Sequence, residues 1–329
     1  MIVLSLTTYG KRIDAVHLTV NSLKAQHYPV DKILLWLDQE EFSAQSVPPV
    51  LLDMQDEVFE IAFCPNYRSY KKLIPTLTRY PDATVITVDD DMLYGPRLVE
   101  SLYLASKVSP GAIIGARGRL ILKDDSGELA PYAHWQFVDG KHPLQACYCL
   151  IPIGYGGVLY PPGALQDSVL DIAAFSKLAP FADDIWFKCM AMLAATPTVI
   201  LPLSASRDMR EIPGSQDNAL YRQVNVGDKN LQQFNAVIQA YPALQALINS
   251  DAFSQVCSPA AMLAEYMRAQ PLSTELSAQV NLLRDCAIAL EKVDMAKAFE
   301  LMSMARKIRP KGPLIDKKWR QYAAALGKM

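Results

Sequence analysis

The sequence predicts an α/β protein whose mixed sheet is flanked by helices and followed by an all-helical extension. Short β-branched and leucine-rich runs alternate with amphipathic stretches of helical length through the first part of the chain. This alternation is typical of a mostly parallel sheet that is covered on both faces. Beyond Asn230 only helical patterns remain, so we divide the chain into an α/β domain at residues 1–230 and a helical region at residues 231–329.

Individual elements follow from the spacing of apolar residues and from the polar turns between the runs. Strands are predicted at residues 2–6, 33–37, 59–63, 84–88, 112–116 and 198–203. Helices are predicted from residue 16 onward and at residues 73–79, 97–108, 165–175 and 183–195. Residues 117–160 are broken by glycine and aspartate turns, and we expect them to form a second, mixed part of the sheet with a pocket. Residues 207–230 are polar and are predicted to be a mobile loop.

Composition limits the classes of function. The chain has 329 residues, a net charge of −2 and a hydrophobic fraction of 51%, which indicate a large globular protein without a nucleic-acid-binding surface. Its six cysteines are scattered among apolar residues and are expected to be reduced core side chains. The first residues lack the basic start of a signal peptide, and no apolar run approaches the roughly 20 residues that span a bilayer. The expected location is the cytoplasm, or the inner face of the cell membrane as a peripheral protein.

The most informative stretch is a strand that ends in three carboxylates. Residues 84–88 are β-branched and suit a buried parallel strand, and Asp89, Asp90 and Asp91 follow at once. Adjacent carboxylates repel one another unless a cation or hydrogen-bond donors take up the charge. Mg²⁺ and Mn²⁺ favour such oxygen ligands, and ligands of open α/β sheets bind at the carboxyl ends of strands. The alternative is an ordinary acidic helix start ahead of Pro96.

Two further polar clusters are expected at the same edge of the sheet. The first follows the first strand and consists of Thr7, Thr8, Tyr9 and Arg12. The second opens a helix and consists of Arg68, Lys71 and Lys72, interleaved with Tyr67 and Tyr70. Cations and aromatic rings in this place suit a diphosphate and a base, with a polar turn and solvated helix charges as the plain alternatives. No glycine-rich phosphate fingerprint follows the first strand, so neither a dinucleotide fold of the usual kind nor a P-loop is predicted.

Three motifs in sequence order resemble those of glycosyltransferases with the GT-A fold, a family that uses nucleotide sugars and an Asp-X-Asp motif. They are Ser5-Leu-Thr-Thr-Tyr9 after the first strand, Asp89-Asp-Asp91 after the acidic strand, and Phe181-Ala-Asp-Asp-Ile-Trp186 at a helix start. The last motif is similar to the acidic motif that holds the catalytic base of inverting members. The likeness covers residues 1–230, and the relatives that it implies are bacterial enzymes that build surface polysaccharides.

The resemblance implies a role for each residue that matches these motifs. Asp91 and Asp89 would hold Mn²⁺ or Mg²⁺, with Asp89 also placed for the ribose or a metal-bound water, and Asp184 would be the catalytic base. The nucleotide would be bound by Thr7, Thr8, Tyr9, Arg12, Asp38, Arg68, Lys71, Lys72 and Asp90. The acceptor would be bound by His134, Trp135, Tyr155, Gly156, Gly157, Asp183 and Trp186.

Alternatives to these roles stay open. The aromatic side chains could belong to the hydrophobic core, and Asp183 and Asp184 could merely cap a helix. In many members of the family a histidine after the base is a further metal ligand. Since no histidine follows His142, Asp208 or Asp217 would replace it.

The function implied by the resemblance is metal-dependent transfer of a sugar with inversion. The donor would be a nucleoside diphosphate sugar, and the acceptor a saccharide or lipid-linked glycan of O-antigen, lipopolysaccharide or capsule biosynthesis. UDP is the expected nucleotide because the family uses it most, and a hexose is the expected sugar. Two other classes stay open, which are a phosphohydrolase with an aspartate nucleophile in the acidic motif and a non-catalytic binding module built on the C-terminal helices.

The C-terminal region predicts helices at Leu276–Leu290, Met295–Ile308 and residues 315–326. The spacing of small and apolar residues in the first two resembles one tetratricopeptide hairpin, which cannot bury its own face and should pack on the main domain or on a partner. Residues 306–328 carry eight cations and one acid, which gives a local charge of +7. This charge suits attachment to an anionic membrane near a lipid-linked acceptor, with a solvated basic helix or a protein docking face as alternatives.

Overall fold

The computed structural model describes residues 1–138, 146–213, 228–254, 276–292, 294–310 and 312–328. The strands of these residues are β1 (Ile2–Thr7), β2 (Lys32–Asp38), β3 (Phe59–Cys64), β4 (Thr84–Thr87), β5 (Met92–Leu93), β6 (Ile113–Gly115), β7 (Gly118–Leu120), β8 (Gln136–Phe137), β9 (Leu150–Pro152), β10 (Val158–Tyr160), β11 (Thr198–Ile200) and β12 (Arg210–Glu211). The helices are α1 (Val16–Lys24), α2 (Pro49–Asp53), α3 (Ile74–Arg79), α4 (Leu98–Val108), α5 (Ile172–Leu178), α6 (Asp183–Leu193), α7 (Lys229–Ala240), α8 (Pro242–Ile248), α9 (Leu276–Leu290), α10 (Met295–Ile308) and α11 (Pro313–Ala325).

Seven of the described strands form one mixed sheet in the order β11, β6, β10, β4, β1, β2, β3. β10 runs antiparallel to β4 and β6, and the other neighbouring pairs are parallel. Helices pack on both faces of this sheet, and the described chain continues with helices after α7. The predicted α/β class with a mixed sheet and a helical C-terminal extension is therefore confirmed.

The central strands are apolar on both faces because helices cover each side. β1 and β2 are buried along almost their whole length, as the near-continuous apolar runs in their sequences predict. One face packs against α1 and α4, and the other against α6 and α7. The parallel register places Ser5 of β1 beside Thr87 of β4. The loop after β1 and the acidic run after β4 therefore leave the same edge of the sheet.

Two smaller sheets border this edge. Within residues 117–160, β10 joins the main sheet antiparallel to both neighbours, which confirms the mixed part predicted there, and β7, β8 and β9 form a separate antiparallel sheet. A short 3-10 turn at Gly154–Gly156 leads from β9 into β10. The pairing of β5 with β12 corrects the prediction of a loop throughout residues 207–230. Residues 210 and 211 are held by pairing with the strand that follows the acidic run. Residues 214–227 lie outside the described residues.

Two predicted boundaries are corrected. Instead of one helix at residues 165–175, the chain forms a 3-10 turn at Asp167–Leu170 and then α5. The Asp171 side chain accepts the N–H of Ala174 at 2.9 Å, and this N-cap makes the helix begin later than its apolar spacing predicts. The strand predicted at residues 198–203 ends at Ile200, and Pro202 follows, which has no N–H for a strand ladder.

The C-terminal helices divide into two groups. α7 and α8 belong to the core of the α/β part, where Phe234 and Val237 are buried. α9, α10 and α11 form a separate hydrophobic cluster that includes Val108 at the end of α4. The bounds of α9 and α10 coincide with the predicted ones, and Asp294 caps α10 by accepting the N–H of Lys297 at 2.9 Å. The boundary at residue 230 and the tetratricopeptide likeness stay predictions.

Among the described helices, none combines the length and the apolarity that a bilayer crossing requires.

The cysteines differ in part from the prediction. Cys147 and Cys149 are joined by a disulfide, which corrects the expectation that all cysteines are reduced. Their Cα atoms are 5.5 Å apart in the bridge and turn that precede β9, a separation that one disulfide spans. Cys64, Cys189 and Cys286 are free and buried, as predicted. The sixth cysteine lies outside the described residues.

Candidate active site

The loop after β1 is bonded to the acidic run after β4. Thr8 Oγ1 donates to Asp90 Oδ2 at 2.6 Å, and Arg12 Nη1 donates to Asp90 Oδ1 at 2.8 Å. The other guanidinium nitrogen, Arg12 Nη2, lies 3.1 Å from Asp91 Oδ2. These groups meet because β1 and β4 are parallel neighbours and both loops leave the same sheet edge.

Asp90 is an internal anchor of this edge. Burial raises the pKa of Asp90 to about 6, while Arg12 and the Thr8 hydroxyl act to lower it. The structure corrects the prediction that Asp90 and Thr8 bind the nucleotide, because both side chains are buried and bonded to each other. They fix the loop so that Tyr9 and Asp91 stay partly exposed at the surface of the edge.

A buried lysine joins the acidic run to the start of α6. Lys72 Nζ lies 3.0 Å from Asp89 Oδ1 and 3.1 Å from Asp183 Oδ2. Burial acts to lower the pKa of Lys72, but the surrounding carboxylates, led by Asp183, raise it well above its ordinary value. Lys72 is therefore a fixed internal cation. The predicted contact of Lys72 with the nucleotide stays a prediction.

Asp184 is the second carboxylate of α6 and lies at the same point. Its Oδ2 accepts the backbone N–H of Gly154 at 3.1 Å. Burial raises the pKa of Asp184, the neighbouring Asp183 raises it further, and Lys72 acts to lower it. Asp183 is held by Lys72 and by the hydroxyl of Ser69, which donates to it at 2.9 Å. Asp183 is thus the more restrained of the two acids, and Asp184 keeps part of its surface open to solvent.

Gly154 lies at the centre of this arrangement. A Cβ atom at this position would lie 2.5 Å from Lys72 Nζ and 3.1 Å from Asp184 Oδ1. It would also lie 3.6 Å from Asp89 Oδ1, so glycine allows the backbone to approach all three polar groups. The carboxylates that follow β4 and those that begin α6 are therefore neighbours. We call them the acid cluster, which consists of Asp89, Asp90, Asp91, Asp183 and Asp184.

The acid cluster carries more negative charge than its protein cations balance. Among the described residues, four of its five carboxylates pair with two cations, Arg12 and Lys72, which leaves three negative charges in excess when all five are ionised. No three His, Cys, Asp or Glu side chains in the described part of the chain are arranged to hold a metal ion. Mg²⁺, however, binds through one or two carboxylates, several waters and substrate phosphates. The partly exposed Asp89 and Asp91 fit an ion of that kind.

The other residues that are predicted to bind the nucleotide differ in how deeply they are buried. Lys71 and Asp38 are buried, and Lys71 Nζ lies 3.7 Å from Asp38 Oδ2. The predicted contact of Lys71 with a diphosphate stays a prediction. Thr7 is half-buried and donates to a backbone carbonyl of β2 at 2.8 Å. Arg68 is exposed and donates to a backbone carbonyl ahead of α6 at 3.1 Å. Nucleotide contacts of Tyr9, Arg12, Asp38, Thr7 and Arg68 stay predictions.

Two predicted acceptor residues lie in the hydrophobic core. The rings of Trp135 and Trp186 are fully buried. Trp135 packs edge-on against Phe234, and Trp186 packs edge-on against Tyr241. The structure therefore corrects their predicted role as sugar platforms, because neither ring reaches the solvent.

Among the other predicted acceptor residues, Asp183 begins α6 and its acceptor contact stays a prediction, while the rest follow β9 or precede β8. Gly156 and Gly157 are buried, and a Cβ at Gly156 would lie 2.6 Å from Cβ of Arg117. Gly157 has φ +91°, which favours glycine, and a Cβ there would face a leucine of α4. Their acceptor contacts stay predictions, and Gly154 is the glycine beside the acids. His134 is exposed and Tyr155 is half-buried, and their acceptor contacts stay predictions.

Sequence reasoning missed Tyr94. Its buried hydroxyl accepts the N–H of Asp89 at 2.8 Å and donates to the carbonyl of Tyr155 at 3.0 Å. Tyr94 thus connects the acidic run to the turn that contains Gly154. Its place five residues after Asp89 was the only signal, and sequence alone does not show that the ring turns back toward this backbone.

The two proposed substitutes for a histidine ligand remain untested. Asp208 is exposed, and its Cβ lies 2.8 Å from the position that a Cβ of Gly95 would occupy. Asp217 lies outside the described residues. A metal-binding role of either aspartate stays a prediction.

Comparisons with known proteins give matches among solved structures. No family model matches the chain, and no curated protein matches it. TarS 1-349 of S. aureus in complex with UDP-GlcNAc is similar with 14% identity and a TM-score of 0.48, over 99% of this chain and 92% of that chain. The mannosyltransferase PcManGT of Pyrobaculum calidifontis in complex with GDP-Man and Mn²⁺ is similar with 15% identity and a TM-score of 0.46, over 99% of this chain and 86% of that chain.

Proposed function

We propose that the chain is a metal-dependent, inverting glycosyltransferase of the GT-A type that uses a nucleoside diphosphate sugar. The observation that carries the proposal is the convergence at Gly154 of the acidic run after β4 and the acids that begin α6. The first group is suited to a cation and a diphosphate, and the second supplies a carboxylate for proton transfer. Glycosyl transfer from such a donor needs both, close to each other.

The donor side of the site would be formed by Asp89 and Asp91. Both would hold Mn²⁺ or Mg²⁺, which would neutralise the charge that develops on the departing diphosphate. Arg12 adds a fixed positive charge, because it pairs with Asp91 at 3.1 Å. The partly exposed Tyr9 and the exposed Arg68 border the same edge and would contact the nucleotide. UDP is the nucleotide that we propose to test first.

The acceptor side would be formed around Asp184. Its raised pKa brings its proton affinity closer to neutral pH, where a general base works best. Asp184 would take the proton of an acceptor hydroxyl while that oxygen attacks the anomeric carbon of the donor sugar. The bond between that carbon and the phosphate oxygen then breaks, and the nucleoside diphosphate leaves with the electron pair. Gly154 and Asp183 hold Asp184 and Lys72 in place for this step.

A substitution at Asp184 separates binding from transfer. Asp184→Asn keeps the size of the side chain but removes its basicity, so nucleotide release from a panel of UDP- and GDP-sugars should fall by about 10² to 10⁴. Binding of the nucleotide should be unchanged, as measured by thermal shift. Asp167→Asn, at an exposed aspartate of the same region, is the matched control. An Asp184→Asn enzyme with full transfer rate would contradict the assignment of the base.

The setting of the reaction is part of the proposal. We propose a hexose donor, a saccharide or lipid-linked glycan acceptor of bacterial surface polysaccharide synthesis, and a cytoplasmic site of action that reaches the inner face of the membrane. The basic C-terminal helices support the last point only in part. Arg306 and Arg320 both pair with Asp316, and Lys318 pairs with Glu291.

The exposed cations of this end provide a test of membrane contact. Lys307, Lys317 and Lys328 are exposed in the structure, and one predicted cation, Lys311, lies outside the described residues. Charge reversal of the three exposed lysines to glutamate should release the protein from anionic vesicles of phosphatidylglycerol, each lysine contributing about 1 kcal/mol. Equal sedimentation of the wild type and this variant with such vesicles would contradict the proposed membrane contact.

A further inference from the structure

Two phenylalanine rings of the α/β part are exposed to solvent. Phe181 comes three residues before Asp184 and is 47% exposed, and Phe137 at the end of β8 is 57% exposed. Single exposed apolar side chains are common on protein surfaces. These two differ from an ordinary exposed residue in how each ring is held.

Each ring is backed by an arginine that is itself fixed to the backbone. The guanidinium carbon of Arg68 lies 4.3 Å from the ring centre of Phe181, and that of Arg119 lies 3.9 Å from the ring centre of Phe137. Arg68 donates to a carbonyl ahead of α6 at 3.1 Å, and Arg119 donates to the carbonyl of Trp135 at 2.7 Å. A guanidinium on one face orients a ring and leaves its other face for a ligand.

Both rings are tied to the start of one helix, α7. The N–H of Phe181 donates to Gln233 Oε1 at 2.9 Å. On the other side, the N–H of Tyr132 donates to Asp228 Oδ1 at 3.0 Å, and the Tyr132 ring lies 5.1 Å from the guanidinium of Arg119. Asp228 is the residue directly before α7, and Gln233 lies in the first two turns of that helix. Both rings are therefore linked through side chains to the N-terminal end of α7.

The position of these rings relates them to the proposed base. Phe181 belongs to the same short segment as Asp184, and Tyr132 is close enough for the charge of Asp184 to contribute to the raised pKa of its hydroxyl, after the larger effect of burial. Phe181 is thus the exposed ring next in sequence to the carboxylate that would receive the acceptor proton, and Phe137 is linked to Tyr132 through Arg119.

We propose that Phe181 and Phe137 are two stacking platforms for an acceptor that is a saccharide of at least two sugar residues. The inference rests on the proposed function and narrows its acceptor class. A sugar ring presents an apolar face of C–H groups and a polar edge of hydroxyls, which matches a flat aromatic ring beside carboxylates, amides and guanidinium groups. A protein partner would need a larger continuous apolar area, whereas these rings stand singly among polar groups.

The experiment measures binding to an array of defined neutral oligosaccharides from one to six residues long. Fluorescently labelled full-length protein is applied with Mn²⁺ and UDP present. The variants are Phe181→Ala and Phe137→Ala, with Phe181→Trp and Phe137→Trp as rescue variants that keep a flat ring. Phe63→Ala is the matched control, because Phe63 is 38% exposed on the edge strand β3.

The proposal predicts that wild-type binding increases from one to at least two sugar residues. Each alanine variant should bind on the order of ten-fold more weakly, the tryptophan variants should recover binding, and the Phe63 control should match the wild type. Alanine variants that bind like the wild type, or an array on which the wild type binds nothing, would overturn it. A loss of the thermal response to UDP in Phe181→Ala would assign that ring to the nucleotide instead. Failure of the wild type itself to respond to UDP and Mn²⁺ would count against the proposed function separately.

Discussion

Two lysines are buried, but their pKa values are shifted in opposite directions. Lys72 lies between Asp89 and Asp183, and its pKa is raised well above the ordinary value. Lys188 lies further along α6 and contacts the hydroxyl of Thr198 at 3.1 Å, and burial lowers its pKa to about 7. Both ammonium groups have lost their water, and only the neighbours differ.

The difference shows where the molecule maintains charge. At the sheet edge, the attraction of the neighbouring carboxylates offsets the cost of removing Lys72 from water. A fixed cation and an excess of anions therefore lie side by side. In the interior near β11, Lys188 contacts the Thr198 hydroxyl, and its uncharged form is favoured above neutral pH. The first environment suits the binding of a cation and diphosphate, and the second has only structural consequences.

Removal of Lys72 should have the largest effect. Lys72→Met leaves Asp183 and Asp89 without their cation, so the free energy of unfolding should fall by about 3–5 kcal/mol in urea titrations. Mg²⁺ should recover part of this loss, because the acid cluster then has four excess negative charges instead of three. Lys71→Met is the matched control, since Lys71 is buried next in sequence but pairs with Asp38.

The control should lose stability without gaining a response to Mg²⁺. If Lys72→Met unfolds at the same urea concentration as the wild type, the lysine does not hold the acids together. An equal gain from Mg²⁺ in both lysine variants would show that the effect is general and not specific to the acid cluster.

Replacement of Lys188 should change how stability depends on pH. The unfolded chain has a lysine pKa of about 10.4, so between pH 7 and 10 it binds more protons than the folded protein. The wild type should therefore gain stability as pH rises through this window, by at most about 1.4 kcal/mol per pH unit from this group. Cys189 stays protonated beside it, because burial raises the pKa of its thiol.

Lys188→Met removes this contribution. The variant should be more stable than the wild type near pH 7, and the difference should shrink as the pH approaches 10. Urea unfolding of both proteins across that range measures it. Parallel pH profiles would mean that Lys188 keeps its charge in the folded protein and that the contrast with Lys72 is smaller than the structure indicates.

A methyl group at Gly154 should have a smaller effect. Its carbon would lie 2.5 Å from Lys72 Nζ, so Gly154→Ala should cost about 1–3 kcal/mol of stability as the lysine is displaced. The same substitution made in the Lys72→Met protein should cost less, because the nearest atom is gone. A double-mutant cycle by urea unfolding measures this coupling, and additive effects would show that the two residues do not press on each other.

The acidic edge of the site could be predicted from sequence because it depends on strand direction. A β-branched run that ends in aspartates places them at the carboxyl edge of a parallel sheet, and a paired acid at the start of a helix is visible in the same way. The sheet and the helices α9 and α10 were also predictable, since their apolar spacing is regular. These signals are local and need no knowledge of side-chain direction.

The inner bonding of the site could not be predicted in this way. Lys72 lies on a 3-10 turn at Arg68–Lys72, and whether its side chain faces solvent or the acids depends on how that turn packs under α6. Trp135 and Trp186 were assigned to the acceptor because aromatic rings suit sugars, yet α7 and α8 cover them from a distant part of the chain. No local sequence pattern shows that Gly154 lies beside Lys72, Asp184 and Asp89.

The central claim is that the acid cluster binds a nucleoside diphosphate through a divalent cation, and thermal shift tests it most directly. UDP or GDP with Mn²⁺ should raise the melting temperature of the wild type, since a ligand at 100 times its Kd adds about 2.7 kcal/mol of stability. Neither component alone should do so to the same extent, and Asp91→Asn should abolish the combined response, while the exposed Asp125→Asn keeps it. A wild type that no nucleotide stabilises with Mn²⁺, or an Asp91→Asn variant that responds fully, would contradict the account.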